Sequence, residues 1–172
     1  MNRARILLKL VLEEAGLHTP ELTTFRDRLR LQKLVYIVQM AGLDLGYRYN
    51  WYLRGPYCPG LTRDAFLLKE EIAAGEDAFA NYELSKEAQK TLCAAKAIWR
   101  PEEVPGSPSN EWLELLASLH YLKNVAYWPG NNVTKERVFK KLVEAKPHFA
   151  EQQKLMGAAW ARLQQQGLIN TE

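Results

Sequence analysis

The chain has 172 residues, a length that suits one domain or one domain with a helical extension. Hydrophobic residues make up 47% of it and charged residues 25%, close to globular averages, which excludes wholesale disorder. Its 23 Lys and Arg against 20 Asp and Glu leave a net charge of only +3, far from a surface given over to binding phosphates.

Cys58 and Cys93 are too few for a disulfide framework, and too few for a zinc site unless histidine joins them. His18, His120 and His148 lie far apart with no helical ligand spacing, so no metal and no cofactor is expected. Near the start, Ile6-Leu7-Leu8 is interrupted by Lys9. That run is too short for a signal peptide or a membrane span, and the expectation is a cytoplasmic protein with no membrane contact.

Apolar residues at Leu7, Leu8, Val11, Leu12 and Ala15 predict a first helix with one buried face, stopped by Gly16 and followed by a turn at His18-Thr19-Pro20. A second helix opens at Thr24, with Asp27 in capping-box spacing, and runs to about Ala41 on a stripe of Leu31, Leu34, Val35 and Val38. Lys33 beside that stripe is expected to snorkel. The aromatic stretch from Tyr47 to Leu53 predicts a strand, broken at Gly55-Pro56-Tyr57-Cys58-Pro59-Gly60. A helix is expected from about Leu61 to Ile72, a short strand over 80–84, and a helix capped by Ser85 and running to about Trp99.

Residues 101–109, with three prolines and a glycine, predict a linker, with Ser107-Pro108 placed as N-cap and first position of the next helix. Beyond it, Trp112, Leu115, Leu116, Leu119 and Leu122 form a core stripe. A loop at 128–132, a helix capped by Thr134 and a last helix ending at Gly167 complete the chain. The fold class expected is mainly α with a small β-hairpin: a winged-helix-like region over 1–100, then a C-terminal helical region over 110–172 packed on it as one domain.

The stretch Arg28 to Tyr36, centred on Leu31-Gln32-Lys33-Leu34-Val35-Tyr36, together with Tyr49 to Asp64, centred on Gly55-Pro56-Tyr57-Cys58-Pro59-Gly60-Leu61, resembles the YwgA-like group of bacterial proteins and, more distantly, the Panacea domain of SocA-type antitoxins. Glu114 to Leu122, Lys146-Pro147-His148-Phe149 and the tail from Leu163 to Ile169 extend the resemblance over most of the chain. The chain departs from the pattern at Cys58, where the group carries serine; a thiol caps a following helix poorly. The resemblance implies bacterial or phage origin, a defence-related or mobile genetic setting, and toxin neutralisation or an adaptor role through protein contact. It brings no catalytic residues.

The turn holding Arg54, Gly55, Pro56 and Tyr57 has two readings. Gly55 and Pro56 can simply set its backbone, or the same turn can present Tyr52, Arg54 and Tyr57 to a partner, since Arg and Tyr are common interface anchors. Arg63, one turn into the next helix, would adjoin that surface, and Trp128 in its Pro-Gly loop is a further candidate contact. No phosphate loop, nucleophile elbow or HExxH motif occurs, and nothing in the sequence orients Cys58 with His120 as a nucleophile and base. The expected function is therefore non-enzymatic protein binding. A toxin, a defence-system subunit, a protease component or a second copy of the chain would serve as partner. The alternative is a winged-helix DNA-binding regulator, in which Arg63 and Lys69 would approach phosphate.

Overall fold

The computed structural model describes residues 3–16, 22–75, 79–100, 109–130 and 133–170. The predicted turn at His18-Thr19-Pro20, the linker residues 101–108 and Asn131-Asn132 lie outside them. Within the described residues the order is α1 (Arg3–Glu14), α2 (Phe25–Met40), β1 (Asn50–Tyr52), β2 (Gly55–Tyr57), α3 (Pro59–Ala73), α4 (Lys86–Trp99), α5 (Asn110–Asn124), α6 (Lys135–Ala145), a 3-10 turn at Pro147–Phe149, and α7 (Gln153–Gln165). The protein is mainly α with one small antiparallel hairpin.

Helix α2 begins as its sequence predicts. The Thr24 side chain accepts from the Asp27 backbone N–H, and the Asp27 carboxylate accepts from Thr24 in return. All eight residues from Leu31 to Val38 are buried, so over this stretch the helix is enclosed on every side and not amphipathic. Helix α5 is enclosed in the same way from Leu113 to Leu119. The two central helices pack on each other. Helices α6 and α7 cover α5, α4 covers α2, and α1 lies on α3.

Three details differ from the sequence reading. The hairpin is shorter than the aromatic run, because the Gln39 side chain takes the backbone of Tyr47, donating to its carbonyl at 2.9 Å and accepting from its N–H at 3.0 Å. The stretch 80–84 is irregular and not a strand, so the hairpin precedes α3 and no strand comes after it among the described residues. Helix α5 is capped by Ser109, which accepts from the Trp112 N–H; the cap is not Ser107.

Candidate protein-binding site

The hairpin turn is set by one glycine. Neither Leu53 nor Arg54 has a positive φ, which rules out the type I′ and II′ turns, and Gly55 at φ +82° takes the left-handed position that closes a three-residue hairpin loop. Gly55 also leans on α5. A Cβ there would overlap the Ser118 hydroxyl and stand 3.5 Å from Lys146 Nζ. The backbone at Gly55 and Pro56 is buried as a result, while Tyr52 (51% exposed) and Leu53 (82%) project outward with Arg54. The turn is structural beneath and displayed above.

Gln32 fixes the other end of the hairpin. Its amide accepts from the Cys58 N–H at 2.9 Å and donates to the Cys58 carbonyl at 2.8 Å and to Thr62 Oγ1 at 2.9 Å. Cys58 is the N-cap of α3 and makes no side-chain cap bond, in keeping with its poor capping chemistry. Pro59 at the first helical position needs no N–H partner there, and α3 starts two residues before the Leu61 of the sequence reading. Tyr57 shares a 3.0 Å hydrogen bond with Thr62 and stacks edge-on with Tyr52 at 5.2 Å.

Beneath the hairpin lies a buried charge cluster. Lys33 is 1% exposed, so it does not snorkel: α2 is enclosed at this point, and only a sliver of the side chain reaches the floor of the recess beside it. Its ammonium donates to the Pro56 carbonyl at 2.6 Å. Lys146, also buried, pairs with the Glu114 carboxylate, and Arg54 Nη1 stands 3.8 Å from the same group. Lys146 lies 5.5 Å from the Trp51 ring centroid, a cation–π contact. Burial, then repulsion from Lys146, pulls the Lys33 amine down to about 7, with Glu114 opposing. Burial also lowers Lys146, again against the pull of Glu114. Three cations share one carboxylate here.

On the solvent side of Lys33 a recess of about 500 Å³ opens between α2, the hairpin and α3. Phe25, Leu29, Leu53 and Phe66 supply its apolar wall, and Tyr52 and Tyr57 its aromatic edge. Arg28, Lys33 and Arg54 line it too, and among the described residues no Asp or Glu does. Phe25 is 57% exposed and Phe66 41%, so apolar surface continues beyond the recess itself.

Of the residues singled out by sequence, Tyr52, Arg54 and Tyr57 come together at this recess, with Gly55 beneath them and Pro56 buried next to it. Arg63 does not line it. It points to solvent from α3, 4.0 Å from Asp64, whose buried carboxylate accepts from the Tyr47 hydroxyl. Trp128 does not join the group either. Its ring is half-buried beyond α5, donating from Nε1 to the Leu122 carbonyl at 2.6 Å and facing Arg137 and Lys141 at 5.2 and 4.3 Å. His120 is engaged by the Tyr36 hydroxyl at 2.9 Å, and burial lowers it to about 4. Among the described residues no three His, Cys, Asp or Glu side chains cluster as a metal site, and no helix is long and apolar enough to cross a membrane.

The sequence reading did not identify Phe25, Leu53, Phe66, Lys33, Glu114 or Lys146 as part of this region. A partial signal exists: Gln32 and Lys33 interrupt a run in which every neighbour is apolar. No protein-family profile, curated protein or solved structure matches the chain.

Proposed function

We propose that the protein is a non-enzymatic protein-binding module, antitoxin-like or accessory to a bacterial defence or mobile-element system, whose partner docks on the hairpin and the recess beside it. The observation that carries this reading is the recess: exposed Phe25, Leu53 and Phe66 around a concave floor, with Tyr and Arg at the edge. Large apolar and aromatic side chains held near a concavity are what interface anchors are made of. The antitoxin-like or accessory role comes from the sequence resemblance, and cytoplasmic residence belongs with it.

The DNA-reading alternative asks the exposed face of α3 to enter a groove. That face carries Phe66, Leu67 and Glu70 beside Arg63 and Lys69, a mixture that suits an apolar partner better than phosphate.

The test is capture of the partner from its native host by the wild-type chain and by Leu53→Asp and Arg54→Ala. Both side chains are exposed, so the midpoint of thermal unfolding should stay put while capture drops at least about tenfold for a lost anchor. Capture by both variants at the wild-type level removes this surface from the function.

A further inference from the structure

Granted that reading, we infer that the recess takes a carboxylate: an Asp or Glu side chain on a segment of the partner protein, entering against Lys33 and Arg54 with apolar neighbours on either side.

Charge complementarity carries the argument. Arg28, Lys33 and Arg54 line the recess, with no acid beside them among the described residues. The carboxylate that acts on Lys33, Glu114, already pairs with Lys146 and has Arg54 at 3.8 Å. Buried cations in excess of anions are unfavourable unless one sheds its proton or a counter-charge arrives, and a carboxylate delivered from outside would supply that charge. The flanks define the rest of the occupant. Phe25, Leu53 and Phe66 extend an apolar rim past the cavity, more surface than a small free anion would cover, so the carboxylate belongs to a longer apolar segment.

The same geometry fixes how binding responds to pH. The charged groups gathered around Lys33 are Lys146 after α6, Glu114 on α5 and Arg54 on the hairpin, with Arg28 on its own helix at the mouth. The free protein releases the Lys33 proton near pH 7, whereas a bound carboxylate holds it on. Affinity therefore falls as pH rises through 7.

The experiment is selection of a phage-displayed random dodecapeptide library on the full chain, followed by binding measurements with the enriched peptides in blocked, fluorescent form. Enriched peptides should share an Asp or Glu between aliphatic or aromatic residues. Changing that acid to its amide should weaken binding about tenfold, the weight of one charge-assisted pair. Arg54→Gln should lose the discrimination between acid and amide, and Lys33→Met should flatten the decline in affinity between pH 6 and pH 8. Arg54 is exposed enough that its variant tests the idea even if Lys33→Met fails to fold. Enriched peptides without an acid that are still lost on Leu53→Asp would overturn the carboxylate and leave the docking surface standing. Peptides indifferent to Leu53→Asp and Arg54→Gln alike, or no enrichment at all, would overturn both. Full displacement of the acidic peptide by millimolar acetate or phosphate, or by an equal concentration of random duplex DNA, would also overturn it, by assigning the recess to a free anion or to nucleic acid.

Discussion

Gly55 meets two demands that only glycine satisfies: a left-handed φ and an α-carbon pressed against Ser118. Gly55→Ala should cost about 2 kcal/mol or more, since either the hairpin or α5 must give way. The midpoint of urea unfolding would measure it, and a change within about 0.5 kcal/mol would mean that the turn relaxes freely. Lys33 and Gly55 also mark the limit of sequence reading at this scale. A lysine next to a helix stripe reads as a solvent-seeking side chain, and only the enclosure of α2 from Leu31 to Val38 shows that this one is held inside. Arg54 and Tyr52 were legible because hairpin-tip residues project whatever lies beneath them. The half-burial of Trp128 was not, because the loop's composition carries no trace of the Leu122 carbonyl that holds its ring.

At the scale of elements, α2 does more than fill the centre. Gln32 and Gln39 stand two turns apart on it, and each presents its amide to one backbone residue flanking the hairpin, Cys58 and Tyr47. Each amide makes the pair of bonds that a neighbouring strand would otherwise make, which lets a two-stranded hairpin sit in a helical protein without a third strand. Gln32→Ala strands the buried Cys58 N–H and leaves the Cys58 carbonyl only the Thr62 N–H, so a loss of about 1–3 kcal/mol is expected. Amide exchange at Cys58 should accelerate in the same variant, and unchanged exchange would show that the glutamine is dispensable. The helices themselves were legible from periodicity and from the caps at Thr24, Ser85 and Thr134. The strand over 80–84 was not there to find: alternation signals a strand only where a partner edge exists, and the one hairpin is already complete.

For the molecule as a whole, two desolvated bases give stability a defined pH profile. His120 is held neutral down to about pH 4 in the folded protein, against an ordinary value near 6.5. The unfolded chain therefore binds its proton first, and stability present above pH 6.5 is lost as pH falls toward 4. Lys33 acts on the alkaline side. Its folded value near 7 lies below the ordinary 10.5, so the unfolded chain again binds more protons and stability rises from pH 7 upward. Burial raises Tyr36, Tyr47 and Tyr49, which turns the trend downward once free tyrosine begins to ionise near 10. Denaturant midpoints from pH 4 to 10 should trace a maximum on the basic side of neutrality. His120→Gln should flatten the acid limb and Lys33→Met should reduce the basic limb, leaving the share that belongs to Lys146. A flat profile in the wild type would contradict the burial of both groups.

The two-handed grip of Gln32 on the Cys58 peptide has one more consequence. It ties the lip of a surface cavity to a helix enclosed by the core, so the shape a visitor meets is fixed before it arrives. Little freedom is left to surrender on association, and modest contacts at such a mouth can hold a guest that a floppy loop of the same composition would let go.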